Sequence, residues 1–338
     1  MAYRQPQTLG LAVRIMTRKL FITGASGFVG GALSRSLAAR FTLLALSRSE
    51  SSDAAIRALG ATPVRGELGS VGPEAITDCE AVIHCAAFVK QWGTREQFWA
   101  ANVEGTRQLL QAARQAGAQR FIHIGTEAAL FHGQHMREID EQYPYPAHTP
   151  FLYSETKAAA EKLVLAANAP GFATLSIRPR FVWGPGDQTI LPVLEAMVRS
   201  GRFAWIDHGR AKTSTTHIAN LVRGVELALE RGTGGNAYFV IDADVTQMRE
   251  FVTALLATRR LTPPDKSLPG WLARTLGTLT ETTWRALGKT SDPPLTRFAA
   301  AMMSRDCTIR TDKAQRELGY APVLSREAGL AELVKTAN

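Results

Sequence analysis

Leu20-Phe21-Ile22-Thr23-Gly24-Ala25-Ser26-Gly27-Phe28-Val29-Gly30-Gly31 decides the fold. An apolar run of strand length feeds directly into glycines 24, 27 and 30, and a helix-compatible stretch, ALSRSLAARF, follows. Glycine at these positions permits a tight turn, close approach of backbone to a pyrophosphate, and close packing of the next helix on the sheet. The helix N-terminus then offers free N–H groups and a positive dipole end to the phosphates. The predicted loop contacts are Gly24, Ser26, Gly27, Phe28, Val29 and Gly30.

A glycine triad alone is a weak signal, so the surroundings matter. Further apolar or β-branched runs follow at TLLAL (42–46), TPVRG (62–66), AVIHC (81–85), FIHIG (121–125) and ATLSIR (173–178). They alternate with helix-compatible stretches, the pattern of βαβ units around a parallel sheet. One helix is expected over 101–117, with Val103, Leu109, Leu110 and Ala113 at helical spacing and Gly117 closing it. Another begins near Tyr153. The fold class is therefore α/β: a Rossmann-type, doubly wound parallel sheet over 18–185. Beyond it, Gly/Pro punctuation breaks 186–338 into shorter apolar segments. These read as a smaller, mostly helical substrate lobe interwoven with the sheet, with 210–245 returning to it. Residues 1–17 show no periodicity and read as a disordered leader, with Met16 directly before the first strong element.

Composition narrows the function classes. The 338 residues are 45% hydrophobic and 20% charged, the balance of a globular enzyme. Cys79, Cys85 and Cys307 are too widely spaced for a disulfide framework or a metal cage, which points to a reducing, cytoplasmic setting. No metal is expected. The net charge of +9 is scattered rather than gathered into a Lys/Arg tract, which argues against a nucleic-acid partner and for anionic cofactors or headgroups.

The second strand bears on cofactor choice. An NAD site usually ends it with a carboxylate for the ribose 2′-OH; here Leu46 is followed by Ser47 and Arg48. A hydroxyl and a guanidinium suit a 2′-phosphate instead, so NADP is preferred over NAD. Tyr153 and Lys157, in YSETK, share a helical face at i and i+4. A phenol ordinarily titrates too high for proton transfer near neutrality. A neighbouring ammonium and a cationic nicotinamide ring are expected to bring it down. Thr126, ending FIHIGT, is the candidate hydroxyl for the substrate oxygen. Glu127 beside it is either a carboxylate behind that hydroxyl or a substrate contact.

Together these residues resemble the extended short-chain dehydrogenase/reductase family. TGASGFVG, HCAAF (84–88), Asn102 in ANVEGT, YSETK and RPRFVWGPGD (178–187) stand in the family's order and spacing. The resemblance implies catalytic roles for Thr126, Tyr153 and Lys157, with Lys157 also bonding the nicotinamide ribose. It implies further cofactor contacts at Glu67 and Leu68 near the adenine, at Ala86, Ala87 and Asn102, and at Pro179 and Val182. Gly125-Thr126-Glu127 departs from the family's serine-rich stretch at that strand. RPRFVWGPGD followed by TSTTHIANL (213–221) is more similar to the 3β-hydroxysteroid dehydrogenase-like branch than to sugar-nucleotide epimerases. That implies interconversion of a hydroxyl and a ketone on a bulky, largely apolar, sterol- or keto-lipid-like molecule. Phe88, Trp92, Trp183 and Trp205 are candidate walls for it. A homodimer is expected from the family.

Two other functions share the scaffold. A sugar-nucleotide epimerase or dehydratase would carry bound NAD and show no net cofactor turnover. A non-catalytic cofactor sensor would usually have lost the Tyr or the Lys. Finally, 267–289 places Leu272, Leu276, Leu279, Thr283 and Leu287 at intervals of three or four, with Trp271 and Trp284 at the edges. That face reads either as the packed side of an amphipathic helix or lid, or as a peripheral membrane contact.

Overall fold

A computed structural model describes residues 18–336, so the expected leader lies outside the described residues. Seven strands form one sheet: β1 (Lys19–Thr23), β2 (Thr42–Ser47), β3 (Thr62–Arg65), β4 (Cys79–His84), β5 (Arg120–Ile124), β6 (Ala173–Arg178) and β7 (Asn236–Phe239). Every pairing is parallel and the order is β3-β2-β1-β4-β5-β6-β7. The chain winds outward from β1 to β3, then returns to pair β4 with β1. That reversal opens a crevice at the strands' C-terminal ends, where such folds bind ligands.

The central strands are apolar on both faces because helices cover both. On one side, Leu33 and Leu37 of α1 (Phe28–Leu37) share a core with Leu221 and Val225 from 218–231. Helix α2 (Glu50–Ala58) crosses between β2 and β3 and starts on Ser49, whose hydroxyl accepts from the Ser52 N–H. The opposite face is covered by Leu109, Leu110 and Ala113, with Val164 from 152–166.

The helix expected at 101 starts earlier. Thr94 and Gln97 form a capping box that opens α3 (Arg95–Trp99), which runs through a π turn at 100–104 into α4 (Gly105–Gln115). The π turn shifts the phase of the apolar pattern by a residue, so the first turn does not share the periodicity of the rest. Helix α5 (Leu152–Ala166) carries Tyr153 and Lys157.

The lobe is built from α6 (Leu191–Arg199), α8 (Met248–Ala257), α9 (Gly270–Ala286) and α10 (Arg297–Ser304). Helix α7 (Ile218–Arg231) and β7 belong to the main sheet. Helices α11 (Asp312–Leu318) and α12 (Arg326–Thr336) end the described chain. Trp205, Phe203, Phe251 and Leu255 form the lobe's core. A small second sheet joins 136–139, 307–309, 212–213 and 246–247.

On α9 the leucine face turns outward, against its reading as the packed side of the helix. Ala273, Gly277 and Glu281 are buried, whereas Leu276, Leu279 and Leu287 are exposed. Gly277 explains the choice: a Cβ there would come within 2.9 Å of the Arg297 nitrogen, so α9 crosses α10 at backbone contact. Only the small-residue side can approach that closely, and Glu281 is accepted there because Arg297 pairs with it at 2.9 Å.

Candidate active site

The glycine loop lies at the crevice. Gly24 adopts φ +72° and a Cβ on it would press to 2.9 Å from the Ala86 nitrogen, so the turn needs glycine. Helix α1 begins at Gly27 with no side-chain cap and no acidic residue in its first turn, leaving its N–H groups and dipole unanswered. An open cleft borders Ser26, Gly27, Phe28, Arg35, Gly186 and Gln188. These features fit the phosphates of the dinucleotide that the fold implies. Arg35 went unread in the sequence; it stands two turns along α1 from the loop.

At the end of β2, Arg48 is exposed and pairs with no carboxylate among the described residues. Ser47 behaves differently from expectation: it is buried, and its hydroxyl donates to the Ser49 carbonyl at 3.1 Å. It shapes the turn, and Ser49 takes the more open position. Glu67 is exposed and opens a short 3₁₀ turn, while Leu68 packs beneath it against Gly105. Ala86 and Ala87 are half-buried along the crevice, and the Ala86 N–H donates to Thr23 Oγ1 at 3.1 Å.

Asn102, expected among the cofactor contacts, is buried with its carboxamide engaged inside the protein. It accepts from the Phe88 N–H at 2.7 Å and donates to Thr156 Oγ1 at 3.1 Å, pinning the 86–88 loop to α5. The nearby π turn brings it there. Pro179 is also buried and offers its carbonyl to the Glu127 N–H at 3.4 Å. Val182 is half-buried against the same apolar cluster as Phe28.

Tyr153, Thr126, Glu127 and Lys157 converge where β5 meets α5. Thr126 caps the 3₁₀ turn 127–130, accepting from the Ala128 N–H, and its hydroxyl donates to Glu127 Oε2 at 2.8 Å. Glu127 is buried and ion-paired with Arg180, which is itself buried and donates to Thr213 at 2.9 Å. Thr126 is thus turned toward a carboxylate, and Glu127 stands behind the hydroxyl. Burial and the Glu127 carboxylate push the Tyr153 phenol well above the ordinary tyrosine value, against the Thr126 hydroxyl, which lowers it.

That is opposite to the lowering expected from Lys157. The Lys157 ammonium is buried and donates to the Ile124 carbonyl at 2.8 Å and to His123 Nε2 at 3.2 Å. Burial lowers its own pKa to about 8. His123 went unread in the sequence, although AVIHC and FIHIG carry histidines at matching places. His84 and His123 are direct partners across β4 and β5. His84 is held between Thr23 and Thr106, and burial lowers it to about 3. His123 must accept from Lys157 through Nε2, which leaves its Nδ1 buried without a partner.

Beside Tyr153 lies a second, open cleft with Trp92, Phe98, Phe151 and Phe298 in its walls. Phe298 of α10 meets the Tyr153 ring edge-on at 5.6 Å. Of the expected aromatic walls, Trp92 is in place, its indole N–H donating to the Lys289 carbonyl at 3.1 Å. Phe88 stands one layer back, edge-on to Phe98 at 4.7 Å. Trp183 and Trp205 are core residues; Trp183 is fully buried, with its N–H on Asp242. Thr296 donates to Gln91 at 2.8 Å, which ties the lobe to this loop. Among the described residues no group of His, Cys, Asp or Glu side chains is placed to hold a metal ion.

Comparison with known proteins agrees with this architecture. The chain is 42% identical over 318 residues to a 4-hydroxy-2-methyl-3-oxo-4-farnesyl-3,4-dihydroquinoline-1-oxide ketoreductase of Stigmatella aurantiaca, covering 93% of this chain and 95% of that one. It is 34% identical to a 2-alkyl-3-oxoalkanoate reductase of Stenotrophomonas maltophilia, covering 93% and 98%. Its fold matches a UDP-glucuronic acid 4-epimerase of Bacillus cereus, solved with NAD, at a TM-score of 0.73 and 18% identity over 95% of this chain and all of that one. Residues 21–269 match the 3-beta hydroxysteroid dehydrogenase/isomerase family. With the glycine loop, the Tyr–Lys helix and the seven-stranded sheet, these matches make the chain an NAD(P)-dependent oxidoreductase that belongs to the 3-beta hydroxysteroid dehydrogenase/isomerase family, within the extended short-chain dehydrogenases/reductases.

Proposed function

We propose that the protein is an NADP(H)-preferring ketoreductase that interconverts a ketone and a hydroxyl on a bulky, largely apolar molecule. The observation that carries this reading is the cleft beside Tyr153, walled by Trp92, Phe98, Phe151 and Phe298. Aromatic walls favour an apolar body and Tyr153 orients its oxygen, while Gln91, Glu281, Arg285 and Arg297 line the rest of the cleft. The relatives' names support it, since both describe reduction of oxo compounds bearing a farnesyl or alkyl group. Exposed, unpaired Arg48 supports the preference for a 2′-phosphate.

When bound, the nicotinamide cofactor supplies or takes the hydride; proton handling falls to the protein. The raised phenol of Tyr153 stays protonated near neutral pH, which suits a donor to a ketone oxygen as negative charge develops there. Thr126 sits between that phenol and the Glu127 carboxylate: its one proton goes to Glu127 while the phenol is protonated and turns to the phenolate oxygen once Tyr153 has given its proton up. Lys157 is anchored through two bonds and retains a third donor for the cofactor ribose. Asn102 holds the 86–88 loop in register with α5.

The test is a substrate panel. NADPH oxidation is measured against long-chain 2-alkyl-3-oxo acids, sterol ketones and prenylated aromatic ketones, with sugar nucleotides in parallel. Net NADPH oxidation with the apolar ketones is expected. Isolation with tightly held NAD, and conversion of a sugar nucleotide without net cofactor change, would establish the epimerase chemistry instead.

A further inference from the structure

Helix α9 turns an uncharged side away from the protein. Opposite its buried Ala273, Gly277 and Glu281, Trp271, Leu276, Leu279 and Leu287 are 64%, 37%, 58% and 61% exposed. At 3.6 residues per turn, every residue on that outward arc of 270–287 is apolar or threonine. A helix facing water normally carries charge there. The threonines are also prepared for an apolar setting. Thr275, Thr278 and Thr282 donate to the carbonyls of Trp271, Arg274 and Thr278 at 3.0, 3.0 and 2.8 Å, so their hydroxyls are already satisfied within the helix.

Charge is confined to one flank and has one sign. Arg285 is exposed and borders the cleft, exposed Lys289 follows the helix end, and Arg274 on the same flank is half-buried and donates to Ser304 at 3.2 Å. The one acid of the segment, Glu281, is buried and neutralised by Arg297. Glu281 and Arg285 also border the cleft beside Tyr153, so the surface on which α9 rests is the surface at the cleft's mouth. No helix of the described chain is long and apolar enough to cross a membrane.

We propose that α9 seats in the plane of an anionic lipid surface. The tryptophan and leucines enter the headgroup boundary, and the exposed Arg285 and Lys289 meet the phosphates. Through this contact an apolar ketone passes from the lipid into the cleft without crossing water. The delivery role rests on the apolar-substrate reading above; the docking itself is measured without substrate.

The experiment sediments the purified full-length chain with vesicles of phosphatidylcholine alone or with added phosphatidylglycerol, at low and high salt. The protein is expected to pellet with the anionic vesicles, roughly tenfold less with neutral ones, and to be released by salt as screening shortens the electrostatic reach. A Trp271→Glu, Leu279→Glu variant should stay in the supernatant while reducing a short, water-soluble ketone at the normal rate. Unaltered protein that remains in the supernatant with anionic vesicles overturns the proposal, whether or not the variant folds. So does a variant that pellets like the parent. Size-exclusion chromatography with light scattering covers the remaining occupant: a dimer dissociated by the same substitutions, without vesicle binding, makes this face an interface between two copies. If no apolar ketone is turned over but vesicle binding holds, the substrate reading fails and the docking stands.

Discussion

Replacing Glu127 with Gln isolates the electrostatic control of Tyr153. Thr126 stands between the phenol and the carboxylate, and two hydrogen bonds in line span roughly 5–6 Å. At an effective dielectric of about 20, a unit charge at that distance is worth about 3 kcal/mol, or about two pH units. Arg180, paired with the same carboxylate, offsets about half of that field, leaving about one unit. The carboxylate raises the phenol, so its removal lowers it. Alcohol oxidation requires the phenolate and rises with pH through the phenol's pKa. The rising limb of kcat/KM should therefore move down by about one unit in Glu127→Gln. Thr126→Val should move it up, because the threonine hydroxyl lowers the phenol. Gln keeps the shape and an acceptor for Arg180 but leaves that buried guanidinium without its counter-charge, so the stability cost is roughly 3–5 kcal/mol. Calorimetry fixes a temperature at which both variants are folded, and initial rates of alcohol oxidation are then followed across pH. An unmoved limb in Glu127→Gln, or one that moves up, would refute the placement of this carboxylate behind the phenol.

Three further substitutions probe other parts of the site. Tyr153→Phe keeps the ring against Phe298 and removes the proton, so turnover should fall by roughly 10²–10⁴ with cofactor affinity unchanged in a fluorescence titration. Arg48→Ala should weaken NADPH by roughly 10- to 150-fold and leave NADH unaffected at matched low salt, since hydrogen bonds to charged groups contribute about 1.5–3 kcal/mol. Equal losses for both cofactors would remove the 2′-phosphate role. Gly30→Ala drives a methyl into the Gly24 carbonyl and should abolish cofactor binding by displacing the loop, with far-UV circular dichroism retained.

The sheet was legible because its signals are local. Each strand is a short apolar run bounded by turn residues, and the glycine loop states its conformation in its own composition. The Tyr–Lys pair was legible for the same reason, since i, i+4 spacing needs nothing beyond a helix. What stayed hidden depends on partners far apart in sequence. Glu127 is understood only through Arg180, 53 residues on. Asn102 reaches its loop because a π turn rephases the helix around it, a feature with no simple periodic signature. On α9 the leucine spacing marked a clear face without fixing which way it turns, and the structure turns it outward. Apolar periodicity ranks faces by hydrophobicity, whereas a close helix crossing selects the smallest residues, and Gly277 outranked Leu276.

The sheet's seventh strand has a consequence for how the chain is made. Residues up to Arg178 complete six strands, and β6 then waits at the edge with its hydrogen-bonding groups unmatched. Its partner, Asn236–Phe239, leaves the ribosome about 60 residues later, after α6 and much of the lobe's first half have emerged. At synthesis rates of roughly 5–20 residues per second, that edge is open for several seconds, long enough to recruit a neighbouring nascent chain. The opposite edge is guarded by Pro63 and Arg65 on β3, but β6 reads ATLSIR and carries no such guard along its run. A fragment cut near 185, where the loop signals suggest a boundary, keeps the open edge permanently and loses the cover of α7.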